Sequence, residues 1–150
     1  MLDPAVMREA LRTFGDHSDV PDFVAFPGDE DAARAKWGMA FFEYVKTISP
    51  PVTTTSVALT FRNKLRLQRS FSGMAVTSDF AAAWRAAMLT MGPAWDEPVF
   101  TTRETSLRMA LALLFESPTN NTFARLDAIA NAFHAATNGM TANSGSTVYG

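Results

Sequence analysis

The chain has 150 residues, of which 47% are hydrophobic, 11% aromatic and 19% charged, a composition that supports a packed core and excludes a disordered or collagen-like chain. Thirteen Lys and Arg against fifteen Asp and Glu leave a formal charge of −2, so no global field draws the protein onto nucleic acid or acidic lipid. The absence of cysteine excludes disulfide frameworks, zinc fingers, iron–sulfur clusters and thiol catalysis together, and a chain of this length buries roughly 68–70% of its unfolded surface without such a staple.

Met1-Leu2-Asp3-Pro4 has no basic region followed by an apolar run and no cleavage site, and no stretch approaches the ~18 apolar residues of a membrane span, so a cytoplasmic protein is expected. Asp3 before Pro4 is a helix start: the carboxylate accepts free N–H groups, and proline has none to satisfy. Val6, Ala10, Leu11 and Phe14 then form one apolar face that Gly15 ends. The stretch 15–28 carries breakers at a spacing that forbids a long element and reads as a loop holding Phe23 and Phe26. From Asp31, the positions Ala33, Trp37, Ala40, Phe41, Tyr44, Val45 and Ile48 recur at three and four, with Asp29, Glu30 and Asp31 at the positive helix end. Ser49-Pro50-Pro51 terminates that helix.

Residues 53–72 admit two readings. Val57, Leu59, Phe61, Leu65, Leu67 and Phe71 alternate as in a β-hairpin, whereas Val57, Ala58, Phe61 and Leu65 form a helical stripe and the Lys, Arg, Gln and Leu content favours helix. Ser78 is placed to cap a helix carrying Phe80, Trp84, Ala87, Met88 and Met91 before Gly92-Pro93. Thr101 and Glu104 match a capping box that opens a helix over 102–115, apolar nearly all round in its second half and therefore expected at the centre. A last helix from Thr122 carries Phe123, Leu126, Ile129, Ala130 and Phe133 and stops at Asn138-Gly139. The expected fold is mainly α: one helical bundle of about five to six helices over residues 1–138, with long Pro- and aromatic-bearing loops, followed by a polar C-terminal tail, 139–150.

Catalytic chemistry is poorly supplied. His17 sits in a turn-rich loop and His134 beside Phe133, and each reads as structural. No Gly-x-Ser-x-Gly elbow exists; Asn143-Ser144-Gly145-Ser146 lacks the flanking strand and helix. No two histidines share a helical turn, no calcium-loop spacing occurs, and Asp29-Glu30-Asp31 reads as support for a helix start. No glycine-rich phosphate loop joins strand to helix. No catalytic, metal-binding or cofactor-binding residue is assigned, and neither a small-molecule substrate nor a cofactor is expected.

Two groups of residues remain as interface candidates. Arg62, Lys64, Arg66 and Arg69 form a local basic run; it could follow a phosphate backbone, but in an acidic chain it reads as a solvated or protein-contacting face. Phe23, Phe26, Trp95 and Phe100 lie in proline-stiffened loops and either lid the bundle or anchor a partner.

Trp37 to Phe41 with Ser49-Pro50-Pro51, then Phe80-Ala81-Ala82-Ala83-Trp84 running to Met91-Gly92-Pro93-Ala94-Trp95 and Pro98, resembles small alanine-rich helical virion proteins of tailed bacteriophages, from tail, neck or baseplate. The likeness is one of rhythm and composition over about residues 30–138, and the basic segment and the loop before Gly28 do not belong to it. The resemblance implies a non-enzymatic subunit, assembled in the bacterial cytoplasm into the virion and contacting other virion subunits as a homo- or hetero-oligomer. A cytoplasmic helical adaptor or inhibitor of a host protein is the alternative, and an enzyme with dispersed carboxylates a third.

Overall fold

The computed structural model describes residues 1–13, 30–68, 75–116 and 122–150. Within them the chain forms α1 (Pro4–Thr13), α2 (Glu30–Val45), α3 (Val57–Gln68), α4 (Ala75–Leu89), α5 (Glu97–Glu116), α6 (Thr122–Thr137), β1 (Met140–Ala142) and β2 (Thr147–Tyr149). The fold is mainly helical, as its apolar periodicity requires.

Each helix packs against its neighbours in the chain, and α6 returns to α1, so the helices close a ring. Early α5 meets late α6 where the Arg103 guanidinium donates to the carbonyls of Ala135 and Asn138 at 2.7 and 2.8 Å. Late α4 meets early α5 through Arg85 and Glu97 at 2.7 Å. Arg8 of α1 reaches Asp127 of α6 at 2.9 Å. Aromatic rings fill the middle: Phe41 lies 5.3 Å from Phe61 and 5.9 Å from Phe133, and Trp37 meets Phe80 edge-on at 4.6 Å. Offset and edge-on contacts of this kind add to the burial of large apolar surface. Gly38 allows α2 and α3 to cross closely, because a Cβ there would lie 2.4 Å from the Ala58 carbonyl oxygen.

The Asp3–Pro4 start is as expected, with Asp3 Oδ1 accepting the Ala5 N–H at 2.9 Å. Residues 57–68 are helical, so the hairpin alternative does not hold there: Val57, Phe61 and Leu65 are buried at one-turn spacing, while Leu59, which alternation would bury, is 58% exposed. Residues 69–72 of that alternative lie outside the described residues.

Four expectations are corrected. Helix α4 begins at Ala75, so Ser78 lies inside it rather than capping it. Helix α5 begins at Glu97, with the Asp96 carbonyl accepting the Phe100 N–H at 2.9 Å, so Thr101 and Glu104 are interior and no capping box forms. The extra turn carries Phe100 onto Trp84, ring centroids 5.1 Å apart, and that burial outweighs the local capping signal. The second half of α5 is not central, because every helix of a ring keeps an outer face: Leu107 and Leu111 are buried, while Met109 and Leu113 are 62% and 69% exposed. Finally, residues 140–149, expected only as part of a polar C-terminal tail, form a β-hairpin. Met140, Ala142 and Tyr149 alternate inward onto Trp95, whose ring stacks edge-on with Tyr149 at 5.1 Å.

Candidate interaction surface

The residues singled out by the sequence do not come together. Phe23, Phe26 and Arg69 lie outside the described residues, as does the side chain of Arg66 on α3. Arg62 and Lys64 sit half-buried on α3. Lys64 faces the buried Asp79 of α4, whose carboxyl is pushed above its ordinary range by burial and held back by that lysine. Trp95 and Phe100 are core residues, 8% and 0% exposed, so of the two roles left open for them the structure shows the lid: their rings close one end of the bundle and are not offered to a partner. Their anchoring is internal, with the Trp95 indole N–H donating to the Met88 carbonyl at 2.9 Å.

A polar network lies beneath them. Thr137 Oγ1 accepts the Trp84 indole N–H at 2.9 Å and donates to the Phe133 carbonyl at 2.8 Å. Tyr44 Oη and His134 Nδ1 share a hydrogen bond of 2.8 Å. Burial raises the Tyr44 hydroxyl well above its ordinary range, against a smaller opposing effect of Thr137; burial lowers His134, and there Asp3 pulls the other way. This is a neutral, mutually satisfied set of groups that braces α2, α4 and α6. Among the described residues no group of three His, Asp or Glu could hold a metal ion, and no helix is long and apolar enough to cross a membrane.

What the tertiary structure does assemble is a surface from three segments without charged side chains, at whose margins the Met1 ammonium donates to the Thr47 carbonyl at 2.6 Å and the Arg103 guanidinium to the Asn138 carbonyl at 2.8 Å. Residues 47–56, 89–95 and 138–150 contain no Asp, Glu, Lys, Arg or His, and backbone hydrogen bonds join all three at one pole of the bundle. Ser49 and Gly150 exchange N–H and carbonyl at 2.9 Å in both directions. The Thr53 N–H donates to the Met91 carbonyl at 3.3 Å. Asn143 donates to Ala94 and Asp96 to Thr141, each at 3.0 Å, which lays residues 94–96 beside β1 through a single antiparallel bridge between Trp95 and Ala142. The hairpin turn holds Asn143, Ser144 and Gly145 at φ of 56°, 57° and 82°, and Asp96 Oδ1 stabilises it by accepting the Ser144 N–H at 2.8 Å. Trp95, Met140, Ala142 and Tyr149 face inward; Ala94, Thr141 and Val148 face outward, with Val148 60% exposed and Thr141 opposite it. Pro50, Pro51 and Thr53 extend the same exposed, uncharged surface.

A second exposed surface runs down α5, where Thr102, Ser106, Met109 and Leu113 recur at spacings of four, three and four, flanked by the exposed Arg108. The uncharged runs are visible in the sequence one at a time. Their convergence is not, since it depends on a hairpin whose strands are three residues each.

Comparison of the chain with family models, with curated proteins and with solved structures gave no match.

Proposed function

We propose that the protein is a non-enzymatic structural subunit that works through contacts with other protein subunits, and that it belongs to the particle of a tailed bacteriophage, at the tail, neck, baseplate or capsid. The observation that carries the assembly role is the pole where three segments without charged side chains meet: depletion of charged side chains marks the core of protein–protein contact surfaces, and a backbone fixed by hydrogen bonds from three chain segments loses little entropy on docking. The place in a virion rests on the resemblance of the helical rhythm alone. Light scattering on size-exclusion fractions across a concentration series tests self-assembly. A discrete oligomer is expected; a monomer at every concentration overturns it.

The alternative, a helical adaptor or inhibitor of a host protein, draws on the half-buried Arg62 and Lys64 of α3. It requires a strict monomer whose heterologous partner is lost when both are neutralised.

A further inference from the structure

We infer that the groove between α2 and α3, at Arg62, docks an acidic segment of another protein subunit that also carries apolar side chains. This rests on the reading above that the protein works through contacts with other subunits, and it gives one of those contacts its place and its chemistry.

Charge is segregated along the chain. Between Glu43 and Asp79 there are five cations, Lys46, Arg62, Lys64, Arg66 and Arg69, and no Asp or Glu, in a protein whose formal charge is −2. Helix α3 therefore has no acidic residue of its own to pair with. Lys46 is satisfied by Glu43 on α2, and Lys64 faces the buried Asp79 of α4. Arg62 lies two residues before Lys64 and so points to the other flank of the helix, toward α2, where its Cβ lies 3.4 Å from the position a Gly38 Cβ would take. No described carboxylate pairs with Arg62, and its Nε is buried without a hydrogen-bond partner. The fold has already removed part of its hydration, so a carboxylate arriving from outside gains a charge-assisted bond at a reduced desolvation cost.

Apolar groups stand beside this cation. Gly38 brings α2 and α3 together at Ala58, and the next residue on each helix, Met39 and Leu59, is 39% and 58% exposed. Arg62 follows Leu59 by three positions, so the two share one face of α3. The groove thus offers an anchor of each kind, as sites that take amphipathic segments do. A nucleic acid fits it less well: a phosphate backbone is followed by several cations, and among the described side chains the groove presents one unpaired cation beside two apolar groups. Contact of this face with its own two-fold mate would set Arg62 against Arg62.

The experiment selects a random peptide library displayed on yeast against the full chain. Enriched peptides are then titrated against the unmodified protein, Arg62→Gln, Leu59→Ser and, as a control at an exposed arginine of α5, Arg108→Gln, with circular dichroism to confirm that the variants remain folded. The peptides are expected to combine Asp or Glu with apolar residues, to bind Arg62→Gln about 10-fold or more weakly, to lose affinity for Leu59→Ser as well, and to bind Arg108→Gln unchanged. No enrichment, peptides without acidic residues, or full affinity in Arg62→Gln overturns the inference; should Arg62→Gln not fold, full affinity in Leu59→Ser does so. A labelled DNA duplex is the second probe, and binding that Arg62→Gln abolishes, with no acidic peptide selected, gives the face to nucleic acid and overturns it too. Light scattering on the same proteins separates this inference from the assembly reading. A discrete oligomer that persists in both variants, with no Arg62-dependent peptide, removes the inference and leaves the assembly reading; an Arg62-dependent acidic peptide on a chain that is monomeric at every concentration does the reverse. An oligomer lost in both variants seats a second copy in the groove and overturns the inference.

Discussion

The three tryptophans divide the core into two regions. Toward the pole formed by residues 47–56, 89–95 and 138–150, the Trp84 indole N–H meets Thr137 Oγ1 and that of Trp95 meets the Met88 carbonyl, each at 2.9 Å. On the α2–α3–α4 side, Trp37 is 1% exposed and its indole nitrogen has no hydrogen-bond partner; Arg62 Nε and Asp79 Oδ2 are buried without one as well. A polar atom buried without a partner loses its water and gains nothing in return. One region therefore pairs its indole N–H groups within aromatic packing, and the other buries Trp37 Nε1, Arg62 Nε and Asp79 Oδ2 at a polar penalty. The first is the region beneath the hairpin of β1 and β2.

The largest effect expected from breaking this division is at the α2–α3 crossing, where Gly38 packs against Ala58. Gly38→Ala should destabilise the fold by about 3 kcal/mol in chemical denaturation, because its Cβ would lie 2.4 Å from a backbone oxygen that cannot yield without moving a helix. Next, Thr137→Val should cost about 2 kcal/mol by turning Trp84 into a second unpaired indole; a loss no larger than that of an exposed Thr→Val change would show that the network contributes nothing.

Asp79→Asn should act in the opposite direction and stabilise by about 1 kcal/mol near neutral pH, since it removes a buried carboxylate whose Oδ2 has no hydrogen-bond partner. Its pH dependence fixes the cause. The folded-state affinity of Asp79 for a proton is raised, so the native protein binds more protons than the unfolded chain and loses stability as pH rises out of the ordinary carboxylate range. The advantage of Asn should therefore shrink toward low pH, where both side chains are neutral. His134 is the smallest case and carries the reverse sign. Burial lowers its proton affinity in the fold, so stability should fall as pH drops below about 6.5, and thermal melts of His134→Asn should show a shallower loss over that range.

Much of the helical architecture was legible because apolar periodicity is a local signal. Val57, Phe61 and Leu65 marked α3, and Asp3 with Pro4 marked the start of α1. Local signals misled where burial competed with them. The Thr101–Glu104 capping pattern lost to Phe100, whose packing on Trp84 required another turn of α5. The apolar Met109 and Leu113 read as core, but a ring of helices leaves α5 an outer face. The hairpin at 140–149 escaped because each strand has three residues, too few for alternation to register against small polar neighbours.

For the interaction surface, the division between sequence and structure is sharper. By itself the sequence determined a cysteine-free, mainly helical chain whose charge is absent from three separate runs. Only the tertiary structure decided that those runs meet, through backbone hydrogen bonds between Ser49 and Gly150, Thr53 and Met91, and Ala94 and Asn143. Helix periodicity is written in residues three and four apart, whereas a surface assembled from segments about fifty residues apart exists only once the core has closed and brought their backbones within hydrogen-bonding distance.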